Sequence, residues 1–449
     1  MGDAAATANL AAAVGDVLPS ILGRDGPRRY LLLVQQPAEA RGSGGLPGNW
    51  GEIVADGGHL ELVASGRISD LDDRMSPAGQ RAVEAGPGHR ALYGYTFQDQ
   101  LWQNTTLDPD FTVAADIARQ LWDQTGGSPL DGVLSVDPQA VAAVLTLVGS
   151  LDLSDGTVLG PDNAAEFLLH GQYLTLGDDA DANSARVDRL GEAVDRAWAR
   201  LTTGDLPGPR VIATTFGPVV EGRHLSFASF DEDEGVVLER LGLAGSVPRP
   251  ERDGVGVVTF NLGQNKIDYF LERVTSYRAR WDPLTGSVSG TYTVQLSNAA
   301  PAVGLPAPII DYGGPVATDP GLAPGENFLQ AYLYTALPPV AVRVDGELVM
   351  RQGGIDDRGW EVTVVAIRVP PGGSVIIEVD VSGAIAPDGA WTLDVVRQPA
   401  VNGDRLSAEL EVVGGAAGLA VDGLEPGEGG TLRVERGLDG PIRVGVSAR

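Results

Sequence analysis

The sequence predicts an α/β domain, with a mixed sheet covered by helices, followed by an all-β sandwich. Segments typical of strands and of helices alternate between residues 30 and 200, as in a sheet with helices packed on it. From residue 286 onward, runs of alternating apolar and polar residues are separated by Pro- and Gly-rich turns, which is typical of a sandwich. We therefore expect a helical segment over residues 1–29, an α/β domain over 30–285 and a sandwich over 286–449.

The charge and the cysteine and histidine content of the chain argue against several kinds of partner and metal site. The chain has 449 residues, more than one ordinary domain, with 60 acidic and 32 basic side chains and a net charge of −28. Because a field of that sign repels nucleic acid, we expect no nucleic-acid partner. The chain has no cysteine, which excludes disulfides and thiolate ligands, and its 4 histidines lie too far apart in sequence to predict a zinc site.

The N-terminal segment is rich in alanine. Residues 4–22 predict a helix, and they are too polar to form the run of about 18 apolar residues that crosses a bilayer. This helix begins abruptly after three residues, so we expect that a longer native protein has a segment upstream of it.

The first strand and the residues after it carry one candidate binding feature. Tyr30–Val34 predicts a strand that is buried on both faces. EARGSGG, residues 39–45, predicts a glycine-rich loop, in which backbone N–H groups and Arg41 could hold an anion. A plain turn between strands is the more common structure for such a segment. Further on, Asp56-Gly57-Gly58 predicts the turn of a β-hairpin.

Two aspartates mark the starts of helices. Asp110 precedes a segment with helical apolar spacing that ends at a Gly-Gly pair. Asp137 precedes Pro138, a combination of N-cap and first helical residue, and this second helix is expected to end at Gly149. The run Leu130–Val136 between the two helices predicts a strand.

Residues 184–201 predict an amphipathic helix with an unusual arginine stripe. Its apolar residues share one arc of the helix, and they are Val187, Leu190, Val194, Trp198 and Leu201. The neighbouring arc holds Arg186, Arg189, Arg196 and Arg200. Because a guanidinium keeps its charge and can bind phosphate through two N–H groups, the stripe is a candidate phosphate site. The alternative is that these arginines cover the apolar face and pair with nearby carboxylates.

Four runs carry a resemblance to known proteins: PRRYLLLVQQPAEARGSGGLPGNWGEIVADGGHLEL, NTTLDPDFTVAA, PLDGVLSVDPQAVAAVLTLVGSLDL and NKIDYFLERVTSY. Together they resemble the actinobacterial, membrane-anchored family known as domain of unknown function 4012. The middle of the chain is also similar to the LytR-CpsA-Psr phosphotransferases, which move glycopolymers from a polyprenyl pyrophosphate carrier to peptidoglycan. That similarity lies in LDGVLSVD at 130–137, in Val148-Gly149, and in Arg186 and Arg189 at the head of a long helix.

The resemblance implies roles for particular residues. Arg186 and Arg189 would bind the pyrophosphate, with Arg41 as a further ligand-binding residue. SGRISD, residues 65–70, lies where those phosphotransferases have an Arg-Asp pair, so Arg67 and Asp70 would be catalytic and Asp70 would bind Mg²⁺ or act as a base. The first strand departs from the pattern, because it begins Arg28-Arg29-Tyr30 where that family has an aspartate that helps to hold magnesium. This departure bears on catalysis more than on fold or ligand class.

Two functions follow as alternatives. The first is a phosphotransferase or pyrophosphate lyase that acts with Mg²⁺ on lipid-linked glycopolymers, in a protein at the cell surface with a membrane anchor upstream. The second is a non-catalytic envelope protein, whose α/β domain binds a polyprenyl or glycan ligand and whose sandwich makes contacts. An apolar tunnel with Arg67, Arg186 and Arg189 at its mouth would favour the first, and guanidiniums that point apart would favour the second.

Overall fold

A computed structural model describes residues 2–448 except for 77–79, 97–100, 177–179, 204–206, 316–317, 417–418, 439 and 441–442. The chain divides into two compact units. The first unit comprises Met1–Pro37, Arg41–Ala85 and Tyr93–Ser246, and the second comprises Ala38–Ala40, Gly86–Leu92 and Val247–Arg449.

The elements up to residue 246 alternate between helix and strand, which confirms a mixed α/β class for this part of the chain. In chain order they are α1 (Gly2–Ile21), β1 (Arg28–Arg41), β2 (Gly44–Asp56), β3 (His59–Arg67), α2 (Ile68–Asp72), α3 (Pro87–Tyr93), α4 (Phe111–Gln124), β4 (Gly132–Val136), α5 (Pro138–Val148), β5 (Leu151–Asp152), β6 (Val158–Leu159), α6 (Ala164–Glu166), α7 (Gln172–Thr175), α8 (Ala180–Thr203), α9 (Pro209–Glu221), β7 (Leu225–Ser229) and α10 (Glu232–Arg240). Among the helices described, none is long and apolar enough to cross a membrane.

A five-stranded mixed sheet forms the centre of the first unit, in the order β3-β2-β1-β4-β7. β1 runs parallel to β4, with Tyr30 opposite Gly132, and β4 runs antiparallel to β7. β1 is buried from Tyr30 to its end. The sequence predicts this burial for Tyr30–Val34, and the strand continues beyond that prediction to Arg41. Leu31 and Leu33 pack on one side of the sheet with α4, and Leu32 packs on the other side with α5 and α8.

The helix starts and the hairpin turn are where the sequence predicts them. The Asp110 carboxylate accepts a hydrogen bond from the Thr112 backbone N–H at 2.9 Å, and Asp137 accepts one from Gln139 at 2.8 Å. α5 ends at Gly149, whose φ of 80° lies in the left-handed region. Gly57 and Gly58 have φ values of 56° and 90° and connect β2 to β3.

The segment at residues 39–45 is not the glycine-rich loop that the sequence predicts. β1 continues to Arg41, only Gly42 and Ser43 form a turn, and β2 begins at Gly44. Close backbone packing explains the glycines here, because a Cβ at Gly42 would collide with the carbonyl oxygen of Leu107. These glycines therefore allow one backbone segment to approach another.

The second unit is rich in strands. Its elements in chain order are β8 (Asp253–Asn261), β9 (Leu271–Trp281), β10 (Ser287–Asn298), α11 (Ala307–Ile310), β11 (Asn327–Thr335), β12 (Pro339–Val344), β13 (Glu347–Leu348), β14 (Gln352–Ile355), β15 (Glu361–Val369), β16 (Ser374–Ala384), β17 (Ala390–Val396), β18 (Arg405–Val412), β19 (Leu419–Asp422), β20 (Glu425–Pro426), β21 (Leu432–Gly437) and β22 (Arg443–Ala448). They form an eight-stranded sheet, β13-β12-β16-β10-β9-β18-β21-β20, and a seven-stranded sheet, β14-β15-β11-β8-β17-β22-β19.

The two sheets share one apolar core, to which both contribute large side chains such as Trp281 and Trp391. The structure divides the chain earlier than the boundary predicted at residues 285 and 286. β8 lies between β11 and β17 in one sheet, and β9 lies between β10 and β18 in the other. Both strands therefore belong to the strand-rich unit, although their sequence is continuous with the α/β part.

A buried polar network surrounds Asp268 in the second unit. Its carboxylate accepts hydrogen bonds from Asn261 at 2.8 Å, from Asn327 at 2.9 Å and from the backbone N–H of Ala40 at 2.9 Å. Because three donors satisfy the carboxylate, the network fixes the segment before β9 to two strands and to Ala40, which belongs to the same unit.

A second buried carboxylate, Asp253, lies between the two sheets. It accepts hydrogen bonds from the Trp391 indole at 2.9 Å, from the Tyr277 hydroxyl at 2.9 Å and from the Gly254 backbone at 2.8 Å. Burial raises the pKa of Asp253 to about 6, and nearby Asp394 adds to the effect while the three donors oppose it. No cation is paired with Asp253 among the described residues, so its charge at neutral pH is a cost to folding.

We predict that a fragment of residues 247–449 unfolds cooperatively, whereas residues 286–449 do not. The shorter fragment lacks β8 and β9, and each sheet would lose an internal strand. Calorimetric melting of both fragments measures this. Equal cooperative transitions in the two fragments would contradict a domain boundary near residue 247.

We predict that the effect of Asp253→Asn on the free energy of unfolding depends on pH. The effect should be more stabilising at about pH 7 than at about pH 4, by up to about 3 kcal/mol. The folded-state pKa lies above the unfolded one, so the contribution of Asp253 to stability is present below about pH 4 and lost as the pH rises through about 6.

Melting at both pH values measures this effect, with Asp380→Asn as the control. A hydrogen bond from Arg343 lowers the pKa of Asp380, so that variant should change stability in the opposite direction. An unchanged pH dependence in Asp253→Asn would show that Asp253 does not titrate in this range.

Candidate functional site

A pocket of about 500 Å³ opens in the first unit between the β2–β3 hairpin and α8. β1 contributes Leu32 and Val34 to its lining. The segment from β2 to α2 contributes Asn49, Trp50, Gly51, Leu62, Ser65, Gly66, Arg67 and Asp70, and α8 contributes Asp188, Gly191, Glu192, Val194, Asp195 and Arg196.

Polar contacts between the hairpin and α8 border this pocket. The Arg67 Nε atom donates to the Asp188 carboxylate at 2.9 Å, and the Ser65 hydroxyl donates to Asp195 at 3.2 Å. Gly191 in the middle of α8 leaves room for the hairpin, because a Cβ there would lie 3.0 Å from Asn49 Nδ2. The glycine therefore keeps this part of the pocket open.

Of the residues predicted for catalysis, Arg67 and Asp70 come together in this pocket. The guanidinium of Arg67 is held by Asp188, and it also contacts Ser184 of α8. The Asp70 carboxylate accepts the backbone N–H of Arg67 at 3.0 Å, a contact that caps the first turn of α2. Both side chains thus have a partner within the protein.

Carboxylates outnumber guanidiniums in the lining. It contains Asp70, Asp188, Glu192 and Asp195 against Arg67 and Arg196. The surrounding protein raises the pKa of Asp195 through partial burial, and the neighbouring Glu192 adds to the effect while Ser65 opposes it. Because the excess charge is negative, the pocket disfavours an anionic ligand such as a pyrophosphate.

Two buried polar groups in the lining have no hydrogen-bond partner among the described residues. They are Nε1 of Trp50 and Oδ1 of Asn49, in side chains that are only 2% and 5% exposed. Trp50 Nε1 lies beside Gly66, where a Cβ would be 3.1 Å from the indole nitrogen and 2.9 Å from Asp70 Oδ2. Neighbouring protein atoms cover both atoms, so a ligand in the pocket would pair with them only after the side chains around them move.

An apolar cavity of about 180 Å³ adjoins the polar pocket, and Leu32 and Val194 line both. The other lining residues of this cavity are Leu134, Val136, Ala140, Val141, Val144, Ala197, Trp198, Leu201, Phe216 and Leu225. The sheet, α5, α8 and α9 therefore enclose a space without charged groups next to a charged pocket.

The arginine stripe of α8 holds a neighbouring segment of the chain. Arg189 pairs with Asp155, Arg196 donates to the carbonyl oxygen of Asp152 at 2.7 Å, and Arg200 donates to that of Ser150. Arg189 also stacks on Phe167, with 5.4 Å between its guanidinium carbon and the ring centre. These contacts match the alternative in which the stripe makes local contacts.

Arg186 and Arg41 are buried elsewhere in the unit, at 2% and 4% exposure. Arg186 lies over the ring of Tyr173 at 4.9 Å. Neither Arg186, Arg189 nor Arg41 lines the pocket that contains Arg67 and Asp70. The guanidiniums of Arg67, Arg186 and Arg189 therefore do not converge at its mouth.

A magnesium site would need several oxygen ligands around one point. Within the described ranges, no three His, Asp or Glu side chains are grouped so that they could share a metal ion. The role of Asp70 as a metal ligand stays a prediction.

Sequence reasoning did not find Asn49, Trp50 or Asp195. The only feature of the sequence that indicates this pocket is a pair of glycines, one inside β3 and one in the middle of α8. Two such glycines are weak evidence for a site. A glycine inside a strand indicates that another group approaches closely, which is what Gly66 permits here. Gly191 permits the same close approach from within a helix.

Comparison with known proteins adds a family match. The model of the family described as Protein of unknown function (DUF4012) matches residues 25–173. No curated protein matches the chain.

Similarity to solved structures is distant. A Legionella pneumophila protein, provisionally described as nutrient-binding, is 10% identical with a TM-score of 0.27, over 43% of this chain and 71% of that one. An M1 zinc metallopeptidase variant from Deinococcus radiodurans is 11% identical with a TM-score of 0.22, and the match covers 39% of this chain and 42% of the metallopeptidase chain. Leukotriene A4 hydrolase from Saccharomyces cerevisiae is 12% identical, with a TM-score of 0.25, over 39% and 29%. Similarities at this level carry no functional argument.

We predict that Arg189 and Asp155 stabilise the fold as a pair, by about 0.5–1.5 kcal/mol. The pair joins α8 to the segment between β5 and β6, and hydrogen bonds from Thr157 and Arg189 lower the pKa of Asp155 although burial opposes the change. A double-mutant cycle of Arg189→Ala and Asp155→Ala, followed by denaturant unfolding, measures the coupling. Additive effects of the two substitutions would contradict a structural role for the pair.

Proposed function

We propose that this chain is a non-catalytic cell-envelope binding protein, whose first unit binds an amphiphilic glycan. The sugar occupies the polar pocket, and the apolar part of the ligand enters the adjoining cavity. The observation that carries the proposal is the shared wall of Leu32 and Val194, on either side of which the lining changes from charged to apolar. Ligand pockets are generally apolar with a few placed polar groups, and this pair of spaces separates the two properties.

The volumes limit the size of the ligand. A pocket of about 500 Å³ is in the range of small-molecule sites and accommodates a small saccharide. A cavity of about 180 Å³ is close in size to an apolar cavity of about 150 Å³ that holds benzene. The apolar part that it encloses is therefore a short segment, about as large as one isoprene unit, and the rest of a longer chain would lie outside.

Electrostatics favours binding over phosphoryl transfer. A transferred phosphoryl group needs cations that are free to neutralise it, whereas Arg67 is paired with Asp188 and Arg189 with Asp155. The carboxylate excess in the pocket also disfavours the pyrophosphate. A sugar without an acidic group meets no such penalty.

The phosphotransferase remains a second candidate because Arg67 and Asp70 line one pocket. In that function Mg²⁺ would neutralise phosphate charge, and Asp70 would be its ligand. We propose no step through the metal, because the described residues include no group of carboxylates that could share it.

The cellular setting is part of the proposal. The resemblance to a membrane-anchored family supports an extracytoplasmic, cell-surface location and an anchor upstream of residue 1. The strand-rich second unit would then provide contacts at the surface.

We predict that an alkyl glucoside with a short chain binds at least about tenfold more tightly than methyl glucoside, because a few buried methylene groups contribute about 0.8 kcal/mol each. Calorimetric titration below the micelle concentration measures both affinities. Val144→Phe, which fills the apolar cavity from α5, should remove the difference.

Val148→Phe is the matched control, because Val148 lies one turn further along α5 and does not line the cavity. Equal affinity of the two glucosides for the wild-type protein would contradict the amphiphile proposal. Release of phosphate from a short-chain polyprenyl pyrophosphate in the presence of Mg²⁺ would support the phosphotransferase instead.

A further inference from the structure

Asp195 is a carboxylate in the pocket with unused hydrogen-bonding capacity. It accepts one hydrogen bond, from the Ser65 hydroxyl at 3.2 Å. No arginine or lysine pairs with it among the residues that the structure describes. The other three carboxylates of the lining are held by a helix cap or by an ion pair. Asp70 caps α2, Asp188 pairs with Arg67, and Glu192 pairs with Arg196.

Two further polar groups of the lining residues have no hydrogen-bond partner among the described residues. Trp50 Nε1 is a donor and Asn49 Oδ1 an acceptor, and both are buried without a partner. Burying such groups unpaired is unfavourable, so a ligand that pairs with them regains free energy. Hydroxyl groups both donate and accept, and they are the groups that can satisfy a mixed set of this kind.

We propose that the head group bound in this pocket is an amino sugar with a free ammonium group; this inference rests on the proposed function. The ammonium pairs with Asp195, and hydroxyls of the ring pair with Trp50 and Asn49 once the side chains that cover these two buried atoms move aside. The pairing also neutralises part of the carboxylate excess in the lining, which no neutral or acidic sugar does.

The same geometry argues against two other cations. A divalent metal ion would need several oxygen ligands around one point, and Asp70, Asp188 and Glu192 are already oriented by other contacts. A linear polyamine would pair with Asp195 but would leave the indole N–H of Trp50 without an acceptor. An amino sugar supplies both the cation and the hydroxyl oxygens.

The test compares three glycosides with the same short alkyl chain: a glucosaminide with a free amine, a glucoside and an N-acetylglucosaminide. Titration calorimetry below the micelle concentration should show that the free amine binds about tenfold more tightly than the other two, because one charge-assisted hydrogen bond at a partly exposed site is worth at least this factor. Spermidine is titrated as the polyamine probe.

Variants locate the effect in the pocket. Asp195→Asn should remove the preference for the free amine, so that the glucosaminide and the glucoside bind this variant with the same affinity. Trp50→Phe, which deletes the indole N–H and keeps an aromatic ring, should weaken all three glycosides by about three- to tenfold. Asp181→Asn is the matched control, since Asp181 is an exposed carboxylate of α8 that does not line the pocket.

The outcomes separate this inference from the proposed function. If the three glycosides bind with equal affinity, recognition of the amine is wrong while the amphiphile proposal stands. If the preference survives in Asp195→Asn, or if spermidine binds as tightly as the glucosaminide, the inference is overturned. If none of the glycosides binds, the proposed function fails and this inference fails with it.

Discussion

Burial of β1 on both faces is the constraint on which the first unit depends. A strand with apolar side chains on both sides needs cover on both sides, which α4 provides on one face and α5 and α8 on the other. α8 packs its apolar residues over Leu32 and runs beside β3, where the hairpin presents polar groups. The polar pocket and the apolar cavity lie on either side of Leu32 and Val194, so both spaces follow from the way in which one helix covers one strand.

The arginines of α8 show how tertiary contacts decide the role of a charged stripe. A helical wheel places four guanidiniums on one side of the helix, but it contains no information about which segment will lie against them. In the structure the segment at residues 148–155 supplies the acceptors, and a carboxylate that is 34 residues away in sequence holds Arg189. Arg67 finds its partner 121 residues away. Paired in this way, the guanidiniums contribute to stability and are poorly placed for a phosphate.

Features that depend on interactions within a few residues could be predicted from the sequence. Features that depend on contacts between distant segments could not. The caps at Asp110 and Asp137 and the turn at Gly57 and Gly58 depend on hydrogen bonds and φ angles within a few residues, so the sequence predicts them correctly. The start of the strand-rich unit depends on β8 and β9, which pair with β17 and β18 more than a hundred residues later. The pocket was equally hidden, because Asn49, Trp50 and Asp195 come from distant segments and carry no common motif.

Buried polar groups that have all their hydrogen-bond partners belong to structural networks in this chain. Buried polar groups that lack a partner and lie beside a pocket mark a candidate site. Asp253 accepts hydrogen bonds from three groups and Asp268 accepts three, so these carboxylates have no capacity that calls for a ligand. Buried polar atoms without a partner occur elsewhere too, for example at Trp281, but no described cavity adjoins that indole. Asn49 and Trp50 differ because a pocket with an underused carboxylate lies beside them. An unpaired group costs free energy that packing alone does not recover, whereas a bound ligand can recover it. The combination of cavity, unpaired donor, unpaired acceptor and spare carboxylate is therefore the basis of the binding role that we propose for this part of the molecule.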